Sequence, residues 1–185
     1  MKIRKPNRLR EYDYSTSGWY YVTICTQDHV NHFGRVQNEK MVLNEMGKIT
    51  NKYSHDVPQH YPNASLDEII IMPNHIHAII IIDYDNVGDE NFRPNYAKNK
   101  VEDKNKKRNE NIHSLQRTNL SNIVKGFKIG VTKWCRVNNQ NHFKWQRSFY
   151  DRIIRNEKEL FNIRKYIQQN PLKWSLKKDI VNLDL

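Results

Sequence analysis

The sequence predicts an α+β fold: a ferredoxin-like antiparallel sheet with helices packed on it. Two observations carry that expectation. The order strand, helix, strand, tight turn, strand in the first 82 residues is half of a split β-α-β arrangement. Within the run Ile70 to Ile82 the strand that follows Pro73-Asn74 is also apolar on both of its alternating faces beyond its two histidines, as suits a strand in the middle of a sheet. At 185 residues the chain accommodates one domain, 1–185, with a real core and has too few residues for two comfortable ones.

The segment from Gly18 to Gln27 is aromatic and β-branched and predicts the first strand. Polar residues follow, with a short return strand near Gly34-Arg35-Val36. Val42, Leu43, Met46, Ile49 and Tyr53 recur at helical spacing and predict a helix over 41–57, capped by Asn44 or an earlier residue and closed by Pro58 and Pro62. Leu66 to Met72 is the next strand, and Pro73-Asn74 turns it into His75-Ile76-His77-Ala78-Ile79. On that strand His75, His77, Ile79 and Ile81 share one face. Two imidazoles two residues apart converge on one cation or phosphate, or else hydrogen-bond at a strand end.

Residues 84–118 are dense in Asn, Lys, Asp and Glu, without apolar periodicity, and predict a mobile polar insertion whose basic cluster either contacts DNA or is a solvated face. Leu120, Ile123, Val124, Phe127, Val131 and Trp134 then mark an amphipathic helix with Lys125, Lys128 and Lys133 outside its stripe. Gly126 and Gly130 weaken that helix by roughly 1 kcal/mol each, which points to close packing or close backbone approach there. Phe143 to Ile154 alternates apolar and polar residues and predicts a strand carrying Arg147 and Arg152. Its aromatics either stack on bases or, as preferred for Trp145, pack in the core. In the last helix Asn156 and Glu159 form a capping pair, and Leu160, Ile163 and Ile167 form the stripe. Tyr166 lies beside that stripe and Asn170 one turn on, with Pro171 ending the helix there.

The balance of 31 Lys and Arg against 20 Asp and Glu gives a net charge of +11, so the natural partner is a polyanion, nucleic acid before an anionic membrane surface. Arg4, Lys5 and Arg8 belong to a basic arm, 1–14, that lies on phosphates or is merely solvated. The two cysteines, Cys25 and Cys135, have neither zinc-knuckle spacing nor a disulfide framework, which fits a reduced, cytoplasmic location. No run of about eighteen apolar residues is present, so no membrane span is expected.

His75-Ile76-His77 together with Tyr166-Ile167-Gln168-Gln169-Asn170-Pro171 resembles the HUH endonuclease pattern of single-tyrosine transposases, and most closely the REP-associated tyrosine transposases of bacteria. The likeness extends to Arg4-Lys5-Pro6-Asn7-Arg8-Leu9, Tyr12-Asp13-Tyr14-Ser15, Met72-Pro73-Asn74, and Trp145-Gln146-Arg147-Ser148-Phe149-Tyr150-Asp151. It departs at the polar insertion before Ser114 and in the short tail after Trp174. The resemblance implies nicking and rejoining of single-stranded DNA at hairpin-forming repeats. It implies Tyr166 as the nucleophile and Mg²⁺ or Mn²⁺ held by His75, His77 and Asn170. The working form is either a monomer or a homodimer. Arg4, Lys5, Arg8, Lys125, Lys128, Arg147 and Arg152 are the expected DNA contacts. Three alternatives stay open: Tyr150 as nucleophile, a phosphodiesterase that uses water, and a catalytically retired regulator that binds hairpin DNA.

Overall fold

A computed structural model describes residues 12–83 and 119–183. Arg4, Lys5 and Arg8 of the basic arm and all of the 84–118 insertion lie outside the described residues. Four strands form one antiparallel sheet: β1 (Gly18–Cys25), β4 (Ala64–Ile71), β5 (His75–Ile82) and β6 (Tyr150–Ile154), in the order β4-β5-β1-β6. Each β-α-β unit is split by a strand of the other, which is the ferredoxin-like topology expected. The histidine strand β5 is central, flanked by β4 and β1, and beyond its two histidines its residues are apolar on both alternating faces.

One face of the sheet is closed by α1 (Glu45–His55) and α3 (Leu120–Val137), packed on Tyr20, Val22, Ile24, Ile76, Ala78, Ile80 and Ile82. The glycines of α3 serve close packing, as expected. A Cβ on Gly126 would stand 2.2 Å from the Tyr61 hydroxyl, and one on Gly130 would stand 3.2 Å from the Tyr53 ring. The other face is closed by α4 (Glu157–Gln168), through Leu160, Ile163 and Ile167 on Trp19, Ile79 and Ile154. A short helix, α2 (Val57–His60), leads from α1 into β4.

Three predicted elements differ from what is observed. The helix expected over 41–57 begins only at Glu45, where the Asn44 side chain accepts from the Gly47 amide. Lys40–Leu43 is instead strand β3, paired with β2 (Gly34–Gln37) across Asn38 and Glu39. Both turn residues have positive φ, 48° and 58°, the geometry of a two-residue hairpin turn. The strand expected over 143–154 is ordered into the sheet only from Tyr150. Before that, the chain makes one bridge, Trp145 to Thr26. The Lys128 ammonium then donates to the carbonyls of Gln146 (2.8 Å) and Ser148 (2.9 Å), which draws the segment onto α3. Finally, α4 ends at Gln168, and Pro171 does not end helical structure altogether. It stands in the first turn of a further helix, α5 (Asn170–Leu183), where its missing N–H leaves no bond unmade.

Candidate active site

The register of β1 on β5 places Thr23 opposite His77 and Tyr21 opposite Ile79, so these side chains share the α4 face of the sheet. Helix α4 is fastened across that face on one edge. Arg164 makes a two-pronged ion pair with Asp67, and Gln168 Nε2 donates to Glu68 Oε1 at 2.8 Å. Asp67 and Glu68 sit where the pairing of β4 with β5 slips between Leu66 and Ile69, and a bulge of this kind lets successive residues both reach the helix. Thus held, α4 brings the Tyr166 ring to 5.3 Å from the His77 ring, edge to face. Tyr166 remains 40% exposed, open to a large substrate.

The histidines themselves lie with ring centroids 4.6 Å apart, at 72°. Asn74 orients the first of them. Its Nδ2 donates to the His29 carbonyl at 2.8 Å, which turns its Oδ1 toward His75 Nδ1 at 2.7 Å. Because that oxygen can only accept, His75 carries its proton on Nδ1 and presents a lone pair at Nε2. Asn74 is in turn fixed by Thr26, whose amide and hydroxyl both donate to the Asn74 carbonyl at 2.9 Å. His77 is buried, 5% exposed, with Nδ1 2.7 Å from the Tyr21 hydroxyl and 2.9 Å from Thr23 Oγ1. Burial, helped by the neighbouring His75, pushes His77 down to about 3, so it is a neutral imidazole at physiological pH. Burial also pushes Tyr21 up to about 12, which disfavours its phenolate.

Helix α5 completes the surroundings. The Trp174 ring lies 5.8 Å from the His75 ring, and its buried Nε1 has no hydrogen-bond partner among the described residues. Asn170 is 6% exposed and stands one turn before Trp174, hence on the same side of α5. Lys173 carries its ammonium 4.6 Å from the centre of the Tyr166 ring. Among the described residues no three His, Cys, Asp or Glu side chains cluster as a metal site.

Among the described residues, the basic side chains singled out by sequence fall in two places. Arg152, paired across β6 with Tyr21, rims a cleft of about 640 Å³ beside Tyr166, together with Lys158 and Asn162, and is held there by Glu159. Lys125, Lys128 and Arg147 line a groove of about 820 Å³ along α3, with Lys133 and Arg136, on the opposite side of the sheet. Lys128 is the least available of these, since two carbonyls hold its ammonium and burial lowers it to about 8. Trp145 packs among Phe33, Phe127 and Phe143, and Phe149 is buried, whereas Tyr150 is 51% exposed. Sequence reasoning missed Tyr21, Thr23, Asn74, Lys173 and Trp174, although Asn74 stood next to the histidine motif.

In this ferredoxin-like sheet the middle strand presents two histidines to a tyrosine on the covering helix. No protein-family profile matches the chain. It is 35% identical over 171 residues to an uncharacterized protein of Haemophilus influenzae, covering 92% of this chain and 89% of that one. A second protein of the same organism, described as "Putative REP-associated tyrosine transposase", is 25% identical over 167 residues, covering 87% of this chain and 74% of its own length. In fold the chain resembles a REP-associated tyrosine transposase solved bound to a REP hairpin, with a TM-score of 0.54 and 17% identity over 90% of this chain and 73% of that one. The chain is thus similar in sequence to a protein described as a REP-associated tyrosine transposase and similar in fold to a solved one.

Proposed function

We propose that this protein nicks and rejoins single-stranded DNA beside a hairpin, with Tyr166 as the nucleophile. The observation that carries the reading is the half-exposed phenol of Tyr166 standing 5.3 Å, ring to ring, from a buried neutral imidazole that is itself paired with a second one. The hairpin bound by the structural neighbour and the net charge of +11 support DNA as the partner.

His75 through Nε2, His77, and the carboxamide oxygen of Asn170 are the residues that would hold a divalent cation. The donor set fits, because the Asn74 contact places the His75 proton on Nδ1, His77 is uncharged, and a buried amide lies on the face of α5 turned to His75. Imidazole ligands suit Mn²⁺ better than Mg²⁺. Such an ion supplies Lewis-acid polarisation of a non-bridging phosphate oxygen.

In the cleavage step the Tyr166 oxygen forms a bond to the scissile phosphorus as the bond from phosphorus to the 3′-oxygen breaks. The phenol proton passes to solvent and the departing 3′-oxygen leaves as a hydroxyl, so Tyr166 keeps the 5′-phosphate. One phosphodiester replaces another, and the reverse attack by a 3′-hydroxyl rejoins the strand without a nucleotide triphosphate. Lys173 adds positive charge beside the phenol, where negative charge gathers. Arg152 and Lys158 line the cleft that a strand leaving Tyr166 would follow. Lys125, Lys133, Arg136 and Arg147 form a phosphate-binding groove on the other side of the sheet, suited to a duplex stem.

The test is incubation with hairpin-bearing single strands and Mn²⁺, followed by denaturing electrophoresis. A conjugate that survives denaturation is expected, and Tyr166→Phe should abolish it while DNA binding persists. Cleavage undiminished in Tyr166→Phe would point to attack by water. Binding without any cleavage would make the protein a retired hairpin-binding regulator.

A further inference from the structure

The two histidines are oriented by different kinds of partner. His75 faces an amide oxygen, which can only accept, so the position of its proton follows from the contact. His77 Nδ1 faces two hydroxyls, those of Tyr21 and Thr23, and a hydroxyl either donates or accepts. The surrounding contacts therefore permit two forms of His77, and only the one with its proton on Nδ1 offers a lone pair from Nε2.

We propose that Tyr21 and Thr23 are positioning residues that hold His77 as its Nδ1–H tautomer, so that Nε2 serves as the ligand to a divalent cation. This rests on the nuclease reading above for its purpose, though not for its test. Three features support it. The Thr23 hydroxyl is directed at the Tyr21 oxygen, 3.3 Å away, which occupies the Thr23 proton and leaves the Thr23 oxygen an acceptor toward Nδ1. The Tyr21 ring stacks on the imidazole, 5.6 Å between centroids at 25°, and so fixes the ring plane as well as the proton. Both residues are set by the pairing of β1 with β5 rather than by a loop, so the triangle of two oxygens and one nitrogen is built into the sheet. The Nδ1–H form requires the Tyr21 O–H to turn away from the imidazole, and Tyr21 lines a cleft beside Tyr166 that can receive it.

Loss of a partner of this kind typically lowers metal affinity about 10- to 100-fold. Tyr21→Phe removes only the hydroxyl and keeps the ring in the apolar cluster under α4. Thr23→Val is near-isosteric, and Thr23→Ser restores the hydroxyl. The ¹⁵N shifts of the His77 ring in the metal-free protein report the tautomer directly. We expect the Nδ1–H form in the wild type and in Thr23→Ser, and a mixture in Tyr21→Phe with Thr23→Val. Mn²⁺ affinity, measured by calorimetry without DNA, should fall at least tenfold in that double variant with the melting temperature nearly unchanged. A wild-type ring protonated on Nε2, or a double variant with the same ¹⁵N pattern and Mn²⁺ affinity as wild type, would overturn the proposal. If the tautomer is as proposed and no DNA conjugate forms in the wild type, the nuclease reading fails while the positioning role stands.

Discussion

The two faces of the sheet are made from the same strands and do opposite things. The face under α1 and α3 is a continuous, largely apolar surface, Tyr20, Val22, Ile24, Ile76, Ala78 and Ile80. The face under α4 is apolar at one end, through Trp19, Ile79 and Ile154, and polar at the other, where Tyr21, Thr23, His75 and His77 gather. Strand alternation separates them, so that moving one residue along β5 moves from core to chemistry. Stability can be altered on one side with the reactive groups left in place, and the reverse.

That contrast yields predictions of decreasing size. Replacing both His75 and His77 by alanine should lower conjugate formation on the order of 10³-fold while the far-face core remains folded, as followed by conjugate yield and circular dichroism. Ile123→Ala, at a fully buried position on the far face, should cost about 3 kcal/mol in urea unfolding yet leave conjugate yield per folded molecule unchanged. A loss of chemistry in excess of the loss of folded protein would mean that the two faces are coupled. Lys125→Ala with Arg147→Ala should weaken hairpin binding uniformly across sequences and reduce the magnitude of the salt slope by about 2, with cleavage of saturating DNA preserved.

The smallest effect concerns Lys128. Burial lowers it to about 8, so between about 8 and its unfolded value near 10.4 the folded chain binds fewer protons than the unfolded one. The penalty of the buried charge is present below that window and disappears as pH rises through it. Stability of the wild type relative to Lys128→Met should therefore rise across the window, as read from urea midpoints. A flat difference would show the ammonium to be better solvated than its contacts imply.

Much of this was legible in the sequence because it is written in short-range pattern. Period-two alternation gave β5 and the common face of His75 and His77. The Asn156 and Glu159 pair gave the start of α4, where the Asn156 side chain accepts from the Glu159 amide as expected. What was illegible depends on residues far apart. Tyr21 and Thr23 are 56 and 54 residues from His77 and read as ordinary strand residues until the register of β1 on β5 is known. Residues 143–149 alternate like a strand, but Lys128 competes for their carbonyls. Pro171 read as a stop, because a proline after a helix and one opening the next look alike when the intervening residues are few. Lys173 and Trp174 were lost with it.

The most direct measurement is the site of covalent attachment. After reaction with a hairpin-bearing single strand in Mn²⁺, nuclease trimming and proteolysis, mass spectrometry should find the residual nucleotide on the peptide containing Tyr166. Attachment to the peptide containing the exposed Tyr150, or reproducible cleavage with no modified tyrosine, would contradict the assignment.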